Sequence, residues 1–242
     1  MTAPADPSSP DAPSARTALA GLATEISACR RCPRLVAWRE AAAARPPKRF
    51  SSQAYWARPV PGWGDPAARV LLVGLAPAAN GGNRTGRIFT GDRSGDFLFA
   101  ALHRAGLANR PESIGPGDGL ALRDVYVAAV NRCCPPDNRP TPAERDACLP
   151  YLAREISLLA ELRVVVALGA FAWDGCLRAI QQGGSSLRPR PTFTHGAETM
   201  VGPYVLIGSF HPSQQNTFTG RLTEAMLDGV LGRARQISGI LP

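Results

Sequence analysis

The chain has 242 residues, of which 45% are hydrophobic, which is enough to build a substantial core. The longest apolar run, 164–173, is too short to span a bilayer and no secretory leader pattern opens the chain, so we expect a cytoplasmic protein with no membrane partner. The chain has 27 basic and 19 acidic residues, a net charge of +8. This excess fits either an arginine-rich solvated surface or a polyanion partner, and charge alone does not separate the two.

Residues 1–16 are rich in Pro, Ser, Ala and Asp without an apolar period, which predicts a disordered tail before a single domain at 17–242. Helical patterns then lie on either side of Cys29 and Cys32. Beyond a connection that contains Pro and Trp, apolar runs predict strands that alternate with helices. The predicted strands are 69–74, 125–130, 163–168 and 204–209. The predicted helices are 95–105, 142–160, 171–181 and 222–237.

This alternation predicts a parallel sheet with helices on both faces. Thr141, Pro142 and Glu144 predict a capping box at the start of the second of these helices, and Pro150 predicts a kink or division within it. In an open parallel sheet, ligands bind beyond the carboxyl ends of the strands. Three of the strands are followed by polar segments that should share one rim, and we take that rim as the candidate active site: 74–92, 131–140 and 211–221.

The segment 74–92, GLAPAANGGNRTGRIFTGD, has five glycines but neither the Walker lysine nor the GxGxxG spacing of a phosphate-binding loop. Its glycines would let a ligand approach the backbone, Phe89 could stack on a flat ring, and Asp92 could accept a proton or stabilise a cation. The alternative is a surface loop in which Phe89 packs inward and Asp92 caps a helix that begins near Ser94.

Two further polar residues follow the later strands. His211 could donate a hydrogen bond to an oxygen that becomes negative in a transition state, or it could be a buried histidine satisfied by the backbone. Asn138 could read the edge of a nucleobase through its carboxamide, or it could form a turn between prolines. Residue type alone leaves both alternatives open for each.

Four cysteines have the CxxC…C…C layout of a metal site: Cys29, Cys32, Cys133 and Cys148. Thiols inside cells are kept reduced, so disulfides are not expected. Zinc and a [4Fe-4S] cluster both accept four thiolates, and the spacing leaves both open, with zinc the commoner occupant of such sites. Structural thiols without a ligand are a third alternative, which the infrequency of a chance CxxC disfavours. Cys134 and Cys176 are expected outside this site.

The segments GLAPAANGGNRTGRIFTGD, NRCCPPDNRPTPAERDAC and HPSQQNTFTGRLT together resemble the signature segments of the family-five (type B) uracil-DNA glycosylases, which carry an iron-sulfur cluster. The resemblance extends from Cys29 to the last helix. It implies an α/β fold, a three-layer αβα sandwich with a central four-stranded parallel sheet. It also implies an enzyme that removes uracil and other deaminated bases from DNA and leaves an abasic site. The implied partner is damaged DNA, and we expect a monomer that needs no divalent metal ion for its chemistry.

The same resemblance implies roles for individual residues. The implied catalytic residues are Asp92, His211 and Asn138. The implied base site consists of Phe89, Gly74, Ala76 and Asn80. The DNA contacts are expected from Gln214, Gln215, Asn216 and Arg221. A structural [4Fe-4S] cluster, with zinc as the less favoured occupant, would be held by Cys29, Cys32, Cys133 and Cys148.

Two positions of the glycine-rich loop bear on specificity. Ala76 stands where other glycosylase families carry a polar residue that positions the attacking water, and this lack is typical of family five. Asn80 stands where many relatives carry histidine, so it is given no catalytic role. The small residues around Ala76 predict a roomy pocket and release of hypoxanthine as well as uracil. The segment 214–220 is a candidate wedge that would fill the gap left by a flipped base.

Two other function classes fit part of the pattern. A binding-only sensor of damaged bases predicts salt-dependent DNA binding without an abasic product. A small-molecule enzyme with a zinc site, whose glycine-rich loop binds a nucleotide phosphate, predicts bound zinc and no affinity for DNA. The glycosylase interpretation accounts for the three rim segments and the cysteines together.

Overall fold

The computed structural model describes residues 14–182 and 189–240, so most of the predicted tail, 1–13, lies outside the described residues. Helix α1 (Ala15–Ser27) begins two residues earlier than expected, because the Ser14 side chain accepts a hydrogen bond from the Thr17 N–H and caps it. Helix α2 (Pro33–Ala44) follows the cysteine pair, as predicted, and begins with a proline at its first position.

One sheet contains six strands: β1 (Trp63–Gly64), β2 (Val70–Gly74), β3 (Val125–Ala129), β4 (Val164–Leu168), β5 (Glu198–Val201) and β6 (Tyr204–Ser209). Their order is β1-β3-β2-β4-β6-β5. The four central strands are parallel and are the four predicted ones. The antiparallel edge strands β1 and β5 were not predicted. The first is two residues long and the second is largely exposed, so neither carries an apolar run.

Six further helices lie among the described residues: α3 (Gly82–Thr85), α4 (Arg93–Arg104), α5 (Pro142–Leu158), α6 (Ala170–Gln181), α7 (Gln214–Phe218) and α8 (Glu224–Ser238). Four of them are the predicted long helices, with ends shifted by one or two residues. The capping box of α5 is confirmed, and the helix continues through Pro150, so the predicted division is wrong. Helices α3 and α7 were missed because four or five residues are too few to show a helical period.

Alternate residues of the parallel strands face opposite layers of helices. In β2, Val70 and Leu72 lie in the core on the side of α4 and α8, whereas Leu71 and Val73 lie in the core on the side of α5 and α6. This two-residue alternation is what a strand buried on both faces requires. It confirms the three-layer αβα sandwich.

The described part of the chain contains no helix with the length and apolar character needed to cross a membrane. The cytoplasmic location stays a prediction. Because β2, β3 and β6 belong to the parallel set, their carboxyl ends lie at the same edge of the sheet. The three polar segments singled out from the sequence leave the sheet at that edge.

Candidate active site

A cleft of about 780 Å³ opens at this edge of the sheet. Its wall includes Asp92 from the loop after β2, Asn138 from the loop after β3, and Gln214 at the start of α7. The cleft thus joins all three predicted segments. Trp38 of α2 and Phe50 of the following 3-10 turn add an aromatic side to the cleft, and neither residue was predicted to belong to the site.

Asp92 caps helix α4 and faces the cleft with the same side chain. Its Oδ1 atom accepts the backbone N–H groups of Ser94 at 3.0 Å and Gly95 at 3.1 Å. Its Oδ2 atom accepts no hydrogen bond from the described residues. Burial raises the pKa of Asp92, although the two backbone hydrogen bonds act in the opposite direction. The helix cap and the candidate catalytic group, stated as alternatives from the sequence, are therefore one and the same carboxylate.

The loop beneath Asp92 is tightly held. A Cβ atom at Gly81 would overlap Oδ2 of Asp92, so only glycine leaves room for the carboxylate in this position. Arg84 donates from Nε to the Asn80 carbonyl at 2.8 Å and from Nη2 to the Gly91 carbonyl at 3.0 Å. These contacts fix the backbone on both sides of the turn that leads to Asp92.

Asn80 lines the cleft, but its side-chain oxygen is already bonded. The Tyr55 hydroxyl donates to Asn80 Oδ1 at 2.8 Å. Tyr55 lies in the Pro- and Trp-containing connection, where aromatic and basic residues alternate closely. This pattern of aromatic and basic residues could have predicted that the connection contributes to the site.

Phe89 packs inward, as the alternative interpretation of the loop predicted. Its side chain is 8% exposed, and a Cβ atom at Gly74 would come within 2.7 Å of its ring. Its backbone lies in the left-handed region at φ 55°, a costly conformation for a bulky residue. Gly95 lets the start of α4 approach the Phe89 carbonyl, since a Cβ atom there would overlap it. Stacking of Phe89 on a base stays a prediction.

His211 is the second residue after β6, with its ring centroid 5.8 Å from that of Phe89. Its carbonyl accepts the Asn216 Nδ2 hydrogen at 2.8 Å, which ties α7 to the histidine. Burial lowers the pKa of His211 to about 4, so the imidazole is neutral at neutral pH. His211 is not part of the Asp92 cleft wall. The two candidate catalytic residues are connected through Phe89 and Gly95.

The remaining base-site residues lie along the end of β2. Gly74 is the last residue of that strand, and Ala76 is half-buried two residues later. Asn138 is exposed on a 3-10 turn and has a left-handed backbone at φ 56°. Its carboxamide therefore stands at the cleft mouth, which suits either a turn-former or a contact to a ligand.

Helix α7 carries the predicted DNA-contact residues. Gln214 and Gln215 are exposed, whereas Arg221 beyond the helix stacks its guanidinium 4.6 Å from the centre of the Phe210 ring. Phe218 ends α7 with 71% of its surface exposed, and the Arg93 guanidinium lies 5.9 Å from the centre of its ring. Phe218 is the most exposed large hydrophobic side chain of the described residues, which makes it a candidate contact for a partner.

Four cysteine side chains line one small pocket between α2, the loop after β3 and α5: Cys29, Cys32, Cys133 and Cys148. No three metal-binding side chains of the described residues converge as they would on a single ion. Cys134 and Cys176 are buried away from this pocket, as predicted.

Buried Arg39 is the main electrostatic feature beside these thiols. It is 2% exposed and donates from Nη1 to Cys133 Sγ at 3.0 Å. Within the described residues its guanidinium pairs with no carboxylate, and its Nε atom has no partner. A buried cation needs a compensating anion. Four thiolates around an iron-sulfur core would carry that negative charge, so the residues present fit such a group.

The model of the uracil DNA glycosylase superfamily matches residues 61–234. A type-5 uracil-DNA glycosylase of Mycobacterium tuberculosis is 54% identical over 217 residues, which cover 89% of this chain and 80% of the relative. A type-5 enzyme of Thermus thermophilus is 51% identical over 216 residues, covering 89% and 96%.

A type-4 uracil-DNA glycosylase of Pyrobaculum aerophilum is 38% identical over 111 residues, which cover 46% of this chain and 48% of the relative. The similarity to type-5 proteins is thus both higher and longer. The chain belongs to the uracil-DNA glycosylase superfamily and, within it, to the type-5 family.

Proposed function

We propose that this protein hydrolyses the N-glycosidic bond of uracil in DNA and leaves an abasic site. The observation that carries the proposal is the free Oδ2 atom of Asp92, which faces a cleft of about 780 Å³ formed by three segments at the sheet edge. The curated type-5 relatives are named uracil-DNA glycosylases. A net charge of +8 supports a DNA partner, since basic residues supply the sequence-independent grip on phosphates.

Bond cleavage builds positive charge on the sugar and negative charge on the departing base. Asp92 would stabilise the cationic sugar or orient the attacking water through Oδ2, while Oδ1 remains fixed by the start of α4. His211 would donate a hydrogen bond to the anionic base. A neutral imidazole suits this role, because it stabilises the anion without itself carrying charge that must be buried.

The target nucleotide must leave the duplex before it reaches this cleft, at a cost of a few kcal/mol. The segment 214–220 is the candidate wedge, and Phe218 is its exposed apolar side chain. Asn138 and Gln214 line the cleft, and we expect them to contact the extruded nucleotide. We also propose that a monomer suffices, which size-exclusion chromatography with light scattering checks.

Ala76 supports a broader specificity than uracil alone. The residue is small and half-buried beside the base site, so it offers no polar group to select one base. We expect the protein to release hypoxanthine as well as uracil. The test is incubation with end-labelled duplexes that contain uracil, hypoxanthine or undamaged bases, followed by alkali to cut abasic sites. Cleavage at uracil alone would contradict this breadth.

The four cysteines are proposed to hold a [4Fe-4S] cluster with a structural role. When bound, the cluster would link α2, α5 and the loop after β3, whose chain carries Asn138 into the cleft. Support comes from buried Arg39 and from the Arg132 N–H, which donates to Cys148 Sγ at 3.3 Å. Iron, acid-labile sulfide and zinc should be measured on protein purified without oxygen. Zinc at one equivalent without iron would contradict the proposal.

A further inference from the structure

Arg39 is connected to two structures at once. Its guanidinium donates to Cys133 Sγ at 3.0 Å and to the Cys29 carbonyl at 3.4 Å. Its own backbone carbonyl accepts a hydrogen bond from Asn83 Nδ2 at 3.1 Å. The residue thus bridges the cysteine pocket and the short helix α3, which belongs to the glycine-rich loop.

Asn83 is itself held firmly. It is 1% exposed, its backbone N–H donates to the Ala78 carbonyl at 3.1 Å, and its carbonyl accepts the Ala57 N–H at 3.0 Å. Its Oδ1 atom has no hydrogen-bond partner. Burying a carboxamide oxygen without a hydrogen-bond partner costs free energy. The Asn83 side chain is nevertheless buried, and its one hydrogen bond runs from Nδ2 to the Arg39 carbonyl.

The next residue carries the connection to the catalytic carboxylate. Arg84 donates to the Gly91 carbonyl, one residue before Asp92. Gly81, one residue before α3, lies against Asp92 Oδ2. Helix α3 is therefore bonded to α2 through Asn83 and Arg39. The residue directly before α3, Gly81, limits the space around the Asp92 carboxylate.

We propose that Arg39 and Asn83 are positioning residues that hold the Asp92 loop in register with the cysteine cluster. This inference rests on the proposed function, because it requires that Asp92 acts in catalysis and that the four cysteines hold a cluster. The cluster fixes the Arg39 guanidinium, Arg39 fixes α2 against α3, and α3 fixes the backbone around Asp92. No electron transfer is involved.

The substitution Asn83→Ala removes the connection without touching the cysteines, substrate or Asp92. We expect visible absorbance and iron content to stay at the wild-type level. The kcat should fall roughly tenfold while KM changes little, because a carboxylate displaced by a fraction of an ångström loses transition-state contacts more than ground-state binding. Amide hydrogen exchange should become faster within 82–92.

Ser238→Ala is the matched control. It removes a buried side-chain hydrogen bond, from Ser238 Oγ to the Ala234 carbonyl at 2.7 Å in α8, away from the site. It should leave exchange within 82–92 and kcat unchanged. Arg39→Lys keeps the charge but loses the planar contact, and it should reproduce the faster exchange of the loop.

Unchanged exchange within 82–92 in iron-loaded Asn83→Ala protein would overturn the proposal. So would a uniform increase in exchange over the whole chain, which would indicate general destabilisation. Hydrogen exchange does not depend on catalysis. A wild-type protein that releases no uracil would therefore contradict the proposed function alone. The positioning role of Arg39 and Asn83 would still be tested by amide hydrogen exchange within 82–92.

Discussion

Oδ2 of Asp92 lies so close to Gly81 that a Cβ atom at residue 81 would overlap it. The other carboxylate oxygen is bonded to the first N–H groups of α4, so Asp92 cannot move aside without losing its cap. A change at Gly81 therefore tests the position of the carboxylate while leaving its chemistry intact.

We expect Gly81→Ala to lower single-turnover excision by roughly a hundredfold, because small misplacements of a catalytic group carry large penalties. The comparison is Gly229→Ala in α8, where an added Cβ meets nothing within 4 Å. That control should be neutral or slightly stabilising, as expected for alanine in a helix. Equal activity in the two variants would show that Asp92 is not required in its observed position.

His211 leads to a prediction about pH. Its pKa is lowered from 6.5 to about 4 by burial, so the neutral imidazole should persist through the range in which an exposed histidine would become charged. The pKa of Asp92 is raised, and its carboxylate likewise becomes protonated only as the pH falls. The rate should thus fall only on acidification, with no break near 6.5. A break there in wild-type protein that disappears in His211→Asn would contradict this assignment.

His211→Ala itself should lower single-turnover excision by roughly a hundredfold, the usual contribution of one hydrogen-bond donor to a developing anion. The measurement is the rate at saturating enzyme on a uracil duplex. His103→Ala is the control, since His103 is an exposed histidine in the last turn of α4. A wild-type rate in His211→Ala would remove His211 from the mechanism.

Phe218 should matter for duplexes and not for single strands. We expect Phe218→Ala to reduce excision from a uracil-containing duplex about tenfold, in line with the ~1–3 kcal/mol of an aromatic stacking contact. Excision from a single-stranded oligonucleotide should be unchanged, since no stack has to be opened. Met200→Ala, at a similarly exposed apolar residue of β5, is the control. An equal loss on both substrates would argue against a wedge.

The cysteines can be tested by their effect on stability. Cys29→Ser and Cys148→Ser should each lose visible absorbance and iron and should unfold at a lower temperature. Cys176→Ala, at a buried cysteine outside the pocket, should keep its full iron content. A full iron complement in either serine variant would refute the ligand assignment.

Much of the fold could be predicted because its signals are local. The four central strands are buried on both faces and therefore appear as continuous apolar runs, and the α5 capping box is read directly from Thr141 and Glu144. Strand β1 and helices α3 and α7 are too short to leave a periodic pattern, and β5 is largely exposed. Tertiary pairing decides their structure.

The site was predictable in its segments and less so in its packing. The positions of Asp92 and Asn138 beyond the sheet edge follow from the strand order. The burial of Arg39 could not be expected, since arginine is rarely buried and its partner thiol is 94 residues away in sequence. The inward packing of Phe89 depends on room left by Gly74 and Gly95, which only the assembled sheet and helix reveal.

The most direct test uses wild-type protein and Asp92→Asn on an end-labelled uracil duplex in EDTA, with alkali to cut abasic sites. Asparagine keeps an oxygen to accept the Ser94 and Gly95 N–H groups, so the helix cap and the fold should be preserved. We predict cleavage at uracil by wild type and a loss of roughly a hundredfold in Asp92→Asn. Absence of cleavage by folded, iron-loaded wild-type protein, or an undiminished rate in Asp92→Asn, would contradict the account.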